Sequence, residues 1–283
     1  MTIKEIFRSY SRRLEQIYSK GEAAAITRIL IEHFTGFNIS QNLNAIDNTL
    51  PAQTIKDLED ALQKLLAHTP VQYVTGTAWF HDLKFEVNKS VLIPRPETEE
   101  LVHTLIQDIK PAESTKILDI GTGSGCIPIT IKKNVPFVEM ISVDISEAAL
   151  TVAKRNAALH DVDVQFFCLD FIDETKRSLL PPIDIIISNP PYIPEGEKGS
   201  LDKNVITYEP HVALFVPEND ALLFYRHIRN FAEDKLRMGG KLFLELHESF
   251  ALSTAELFSN KYTVEIKKDI SGKQRMLFAT RCR

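Results

Sequence analysis

The sequence predicts an α/β fold: a parallel sheet with crossover helices, preceded by a small helical domain and a β-hairpin linker. Three observations carry this reading. From Ser114 onward, short apolar runs alternate with helix-length amphipathic stretches, the order expected of βαβ units. The first of those runs opens into a glycine-rich turn, Gly121-Thr122-Gly123-Ser124-Gly125, at a strand-to-helix junction. The first 76 residues instead place apolar side chains at helical spacing. With 283 residues, 44% of them hydrophobic and 25% charged, the chain can bury a sizeable core in one large or two ordinary domains.

Charge and cysteine usage narrow the function classes. A formal net charge of -5 argues against a protein that grips nucleic acid through bulk positive charge. Cys126, Cys168 and Cys282 lie far apart without ligand spacing, which points to a reducing cytosol and away from a structural metal site. Met1 to Ser19 mixes acids and bases and has no apolar signal core, and no run approaches the length of a membrane span. The expectation is a cytoplasmic protein with no metal centre and no membrane partner.

Residues 1–76 are assigned to the helical domain. Ile3, Ile6, Tyr10, Leu14 and Ile17 recur at helical spacing. A second helix over Glu22 to Phe34 stops before Gly36, and a third over Pro51 to His68 carries Ile55, Leu58, Leu62 and Leu65 on one face. The domain reads either as a cap over a sheet edge or as a partner-docking module. Residues 77–92 read as the linker, with Thr77–Phe80 and Leu83–Val87 meeting at His81-Asp82.

The second domain, 93–283, starts from Leu92-Ile93-Pro94-Arg95-Pro96-Glu97-Thr98-Glu99. Its prolines force an extended approach, and Glu97, Glu99 and Glu100 favour a helix N-terminus running to about Ile109. Arg95 reads equally as a ligand contact or as half of an ion pair. Strands are expected at about 116–120, 138–143, 163–168, 183–187 and 241–246, and helices at about 125–133, 147–159 and 219–236. Thr263–Lys267 and Arg275–Thr280 form two further strands that meet through Ser271-Gly272.

The glycine turn has the spacing Gly-x-Gly-x-Gly, tighter than the dinucleotide pattern, and lets a ligand approach the backbone without Cβ interference. Asp144 ends the next strand, where a carboxylate accepts hydrogen bonds from ribose hydroxyls. Asp170-Phe171 follows the third strand, with an acid for an exocyclic amine and a ring to stack on a base. Together these suit a nucleoside, although Asp144 and Asp170 also read as helix N-caps. No triphosphate-binding Gly-x-x-x-x-Gly-Lys-Ser/Thr occurs. Asp119, just before the glycines, would repel a pyrophosphate and tolerate a sulfonium, which points to S-adenosyl-L-methionine, with S-adenosyl-L-homocysteine as product.

Ser188-Asn189-Pro190-Pro191-Tyr192 closes the apolar run Ile183-Asp184-Ile185-Ile186-Ile187. Methyl transfer to an amide or aromatic amine needs a weakly nucleophilic nitrogen held in line with the methyl group. The Asn189 side-chain oxygen and the Pro190 carbonyl would accept its N–H bonds and favour the positive charge that develops there. Tyr192 would pack against the planar target. Taken alone the motif also reads as a plain turn, and it does not choose between a base amine and a side-chain amide.

Asn189-Pro190-Pro191-Tyr192, Gly121 to Gly125 and Asp144 resemble the class I methyltransferases that act on planar nitrogens. Over nearly its whole length the chain resembles the release factor glutamine methyltransferases. The matches are Leu92 to Glu99, Ile117 to Ile127, Ser188 to Ile193, Tyr208-Glu209-Pro210 with Ala213-Leu214, and Gln72 to Gly76 with Phe80. The resemblance implies a Rossmann-like class I methyltransferase sheet of seven strands with the last antiparallel, and methylation of the glutamine in the Gly-Gly-Gln motif of peptide chain release factors. It further implies that Gly121, Thr122, Gly123, Ser124 and Gly125 line the methionine part of the cofactor, with Asp144 on the ribose and Phe171 beside the adenine. Asn189, Pro190, Pro191 and Tyr192 would hold the glutamine, Asn189 also touching the cofactor, with Asn189 and Pro190 in the catalytic role.

One departure stands out. After the fifth strand the family shows a glycine and a glutamine, which Glu245-Leu246-His247-Glu248-Ser249-Phe250 lacks. His247 reads as a substrate neighbour or as a helix-start residue. The expected partner is a release factor, with no direct nucleic-acid binding and a monomeric chain. The rival reading, a DNA or RNA exocyclic-amine (adenine) methyltransferase, calls for a basic surface or a target-recognition domain, and neither is visible in the sequence.

Overall fold

The computed structural model describes residues 1–37, 47–110 and 115–282; the expected onset of the strand pattern at Ser114 and the predicted domain's final residue, 283, lie outside the described residues. The chain forms two compact units, one of Met1–Thr77 with Asp202–Tyr208 and one of Ala78–Leu201 with Glu209–Arg283.

The first unit is helical. Helix α1 (Ile3–Leu14) starts on a reciprocal cap between Thr2 and Glu5, and α2 (Lys20–Thr35) ends on Gly36 at φ 70°. Helix α3 (Ala52–Leu66) follows Pro51, and α4 (Val71–Thr75) is a single turn between Pro70 and Gly76. Ile3, Ile6, Leu14, Leu30, Leu58, Leu62 and Leu65 form its buried core, the stripes that the periodicity predicts. Helix α4 escapes that periodicity because five residues are too few to show one. The short helix α9 (Lys203–Tyr208) belongs to this unit, and the Tyr208 hydroxyl donates to the Ala67 carbonyl at 2.7 Å.

The hairpin β1 (Thr77–Phe80) and β2 (Leu83–Glu86) follows, all of it but Thr77 in the second unit. His81 and Asp82 both take positive φ, 49° and 62°, as a tight two-residue turn between twisted strands requires. Helix α5 (Pro96–Asp108) follows, with proline in its first turn.

The sheet consists of β3 (Lys116–Ile120), β4 (Glu139–Asp144), β5 (Gln165–Cys168), β6 (Ile183–Ser188), β9 (Leu236–Glu245), β10 (Tyr262–Lys268) and β11 (Gln274–Arg281). Two-residue strands β7 (Ile193–Pro194) and β8 (Phe215–Val216) pair separately. The order in the large sheet is β10-β11-β9-β6-β3-β4-β5, parallel except for β11, which runs antiparallel to both its neighbours. This is the seven-stranded class I methyltransferase sheet.

The central strands β3, β4 and β6 are almost continuously buried because helices cover both faces. Ile117, Ile185, Ile187 and Phe243 pack on one face against α5, α6 (Cys126–Asn134) and the hairpin's Phe80 and Phe85. Leu118, Ile120, Ile186, Leu242 and Leu244 pack on the other against α10 (Leu223–Lys235) and α11 (Ala251–Phe258). Helix α7 (Glu147–Leu159) joins β4 to β5, and the short α8 (Glu174–Arg177) lies before β6. Strand β9 begins five residues earlier than the apolar run suggests, through a register shift opposite Ile183–Ile185.

Candidate functional site

Strands β3 and β6 are neighbours, with Ile120 opposite Ser188 and the Ser188 hydroxyl donating to the Ile120 carbonyl at 2.7 Å. From β3 the chain builds β4 and β5 on one side, then returns to build β6 and β9 on the other. Their carboxyl ends therefore mark the topological switch point, where open α/β sheets bind ligands. Gly121 leaves β3 beside Asn189, so that a Cβ at Gly121 would sit 3.9 Å from the Asn189 carbonyl oxygen.

Two glycines in the turn have separate physical reasons. At Gly125 (φ +81°) a Cβ would lie 2.8 Å from Ile129 Cδ1 and 3.2 Å from Ala153 Cβ, so a bare backbone is needed to seat α6 against α7. At Gly123 (φ +54°) a Cβ would meet nothing within 4 Å; its N–H instead donates to Asp144 Oδ2 at 2.9 Å.

A cavity of about 300 Å³ opens at these strand ends. Gly121 and Gly123 line it after β3, Asp144 and Ser146 after β4, Leu169 to Ile172 after β5, and Asn189 to Pro191 after β6. Ser90 to Leu92 and Pro210, Val212 and Ala213 complete the wall. Those outer segments are tied together by Glu209, whose buried carboxylate takes the Arg95 guanidinium at 2.6 Å and the Ile93 N–H at 3.2 Å. Arg95 is thus an ion-pair residue and does not line the cavity.

Asp144 is not a helix cap. Its Oδ1 accepts from the Ser146 N–H at 2.9 Å, Ser146 itself caps α7, and burial raises the Asp144 pKa. Asp170 accepts from the Ile172 N–H at 3.0 Å, and α8 is capped by Asp173. Phe171 lines the cavity from the core side, edge-on to Phe231 with ring centroids 5.3 Å apart. Asp119 differs from the sequence reading. It is fully buried, outside the cavity wall, and burial pushes its carboxyl up to about 7, so at neutral pH it is not a full negative charge facing a ligand.

On the opposite rim, the Asn189 side-chain amide donates to Thr98 Oγ1 at 3.0 Å. The Thr98 hydroxyl donates to Glu245 Oε2 at 2.6 Å, and the Tyr192 hydroxyl donates to Glu245 Oε1 at 3.0 Å. Burial raises the Glu245 pKa, while its two hydroxyl donors oppose the rise. Tyr192 is pushed up by burial and by the Glu245 charge. The Tyr192 ring lies against the core cluster and not on the cavity wall. His247 caps the turn Glu248–Phe250 through the Ser249 N–H, meets Glu197 at 3.1 Å and stands 5.9 Å from the Tyr192 ring.

The structure therefore gathers Gly121, Gly123, Asp144, Phe171, Asn189, Pro190 and Pro191 around one cavity. Thr122, Ser124 and Gly125 lie under the turn and do not line it. Thr98 and Glu245 join the site only through the fold. The signal for Glu245 is a lone carboxylate ending the apolar run Leu242-Phe243-Leu244.

This sheet order, glycine turn and Asn-Pro-Pro-Tyr rim define a Rossmann-like methyltransferase. Residues 98–209 match the family model described as "Methyltransferase small domain", and residues 5–76 match the "PrmC N-terminal domain". The release factor glutamine methyltransferase of Flavobacterium psychrophilum is 39% identical over 282 residues, covering 98% of each chain. That of Bacteroides thetaiotaomicron is 38% identical over 275 residues, covering 95% of this chain and 96% of its own. A methyltransferase structure from Pyrococcus furiosus superposes with a TM-score of 0.53 at 17% identity, over 80% of this chain and all of that one, a likeness of fold. The chain belongs to the release factor glutamine methyltransferase family. Among the described residues no helix is long and apolar enough to cross a membrane.

Proposed function

We infer that this chain transfers a methyl group from S-adenosylmethionine to the side-chain amide nitrogen of the glutamine in the Gly-Gly-Gln motif of peptide chain release factors. The observation that carries the reading is that Asn189 and Pro190 line the same cavity as the glycine turn and Asp144, in a chain of this family.

The cavity fits the methyl donor. Open space beyond Gly123 leaves room for a ligand against the main chain. The Asp144 carboxylate, pinned by two backbone N–H groups, keeps lone pairs for ribose hydroxyls. Leu169, Phe171 and Ile172 give apolar walls for a base, with Asp170 at the edge. The bound donor supplies an electrophilic methyl on a sulfonium.

The residues of the chain do the rest. Asn189 Oδ1 and the Pro190 carbonyl accept the two N–H bonds of the target amide and orient its nitrogen. The same two oxygens favour the positive charge that grows on nitrogen, and neither needs to take a proton, which leaves after transfer. The Pro190-Pro191 pair stiffens this rim by fixing φ and removing two competing N–H donors. We assign docking of the release factor to the helical first unit, of which residues 5–76 match the PrmC N-terminal domain. The net charge of -5 and the absence of a basic target-recognition segment weigh against a nucleic-acid target.

The test is incubation with labelled S-adenosylmethionine and purified release factor, followed by peptide mass analysis. Label on the glutamine of Gly-Gly-Gln is expected. Label on another residue, or on added DNA or RNA in place of the factor, would contradict the reading.

A further inference from the structure

We propose that Thr98 and Glu245 are positioning residues that set which end of the Asn189 amide faces the acceptor. This deepens the proposed function and rests on it for its kinetic arm. It stands on geometry: Thr98, in the first turn of α5, and Glu245, the last residue of β9, are both buried, at 2% exposure each.

The polarity of the network follows from its chemistry. Both carboxylate oxygens of Glu245 act as acceptors, each taking one hydroxyl, from Thr98 at 2.6 Å and from Tyr192 at 3.0 Å. Thr98 has one hydroxyl hydrogen, already committed to Glu245, so towards Asn189 it can only accept. The amide end of Asn189 at 3.0 Å from Thr98 must therefore be its NH₂ group. That leaves Oδ1 as the end available to an N–H donor in the cavity. A flipped Asn189 would present NH₂ to the NH₂ of a target amide, donor against donor, and would abolish the preorganised acceptor.

The network is anchored on both sides. The Tyr225 hydroxyl donates to the Glu245 main-chain carbonyl at 2.9 Å, and an Arg275 nitrogen donates to the next carbonyl, Leu246, at 3.2 Å. Through Tyr192 the same carboxylate also holds the rim three residues beyond Asn189. One buried carboxyl group thus orients two parts of the Asn189–Tyr192 loop from an element more than fifty residues away in sequence.

Thr98→Val keeps the shape of the side chain and removes the hydroxyl; Thr98→Ser keeps the hydroxyl. At saturating donor and release factor, Thr98→Val is expected to lower kcat about tenfold or more, with donor Kd within about twofold, and Thr98→Ser to recover most of the loss. Equal rates for Thr98→Val and the wild type, or a Ser variant as impaired as Val, would overturn the proposal. A second readout needs no acceptor. In nitrogen-15 NMR of the free protein, the Asn189 side-chain NH₂ pair, assigned by its loss in Asn189→Ala, should shift and exchange faster in Thr98→Val and in Glu245→Ala, and not in Thr98→Ser. An unmoved NH₂ pair would overturn the proposal even if the wild type failed on release factor, whereas that failure with a moved pair would strike only the functional reading.

Discussion

The two rims of the cavity each rest on a carboxylate, half-buried at Asp144 and fully buried at Glu245, yet they are built from different materials. Asp144 accepts two main-chain N–H groups, from Gly123 and Ser146, 21 and 2 residues away. Glu245 accepts two side-chain hydroxyls, from Thr98 and Tyr192, 147 and 53 residues away. Burial raises the pKa of both. The Asp144 rim, where we place the methyl donor, is thus held by main-chain N–H groups, one of them from the glycine-rich turn. The acceptor side depends on a relay of named hydroxyls, in which one wrong atom reverses the polarity at Asn189.

The contrast can be broken from either rim. The largest effect is expected on the acceptor side: Asn189→Ala should lower the rate of transfer at saturating donor by about 10²–10³-fold, the scale of losing one preorganised partner of a developing charge. A single-turnover assay checks it. On the donor side, Asp144→Ala should weaken S-adenosylmethionine binding by about 10- to 100-fold, the cost of charge-assisted hydrogen bonds lost, read by calorimetric titration.

Asp119 sharpens the comparison because it lies behind the donor rim without touching the cavity. Its folded pKa of about 7 stands above the ordinary carboxylate range, so the native state holds the proton more tightly than the unfolded chain. Its contribution is most favourable below about pH 4 and is lost as pH rises towards 7. Melting curves of the free protein should show Asp119→Asn gaining on the wild type across that window and keeping a constant advantage above it. The smallest effect is at the outer wall. Arg95→Ala leaves the buried Glu209 carboxylate with the Ile93 N–H alone, and because Arg95 is itself one-third exposed the loss should be about 1 kcal/mol. A melting temperature lower by about 2–4 °C checks this.

The same division decides what was legible in the sequence. The glycine turn, Asp144 and the strand–helix alternation are local patterns, and the structure places them where the spacing predicts. So is the hairpin, although His81-Asp82 achieves with two ordinary residues a turn that usually relies on glycine. Relations across long separations were not legible. The role of Arg95 depends on Glu209, 114 residues away, and the roles of Thr98 and Glu245 exist only once α5 and β9 meet. Asp119 shows the converse: an acidic residue next to a glycine turn reads as a charge, but burial inside β3 removes much of that charge at neutral pH. Tyr192 reads as a ring for the target, whereas its hydroxyl is committed to Glu245 and its ring to the core.

The most direct test of two separable rims is one paired measurement on Asn189→Ala and Asp144→Ala. Donor Kd by calorimetry and single-turnover methyl transfer to release factor at saturating donor would be recorded on the same preparations. The predicted result is a crossed pattern, with Kd raised only in Asp144→Ala and the saturated rate lost only in Asn189→Ala. Wild-type transfer by Asn189→Ala, or equal losses of both quantities in both variants, would contradict it.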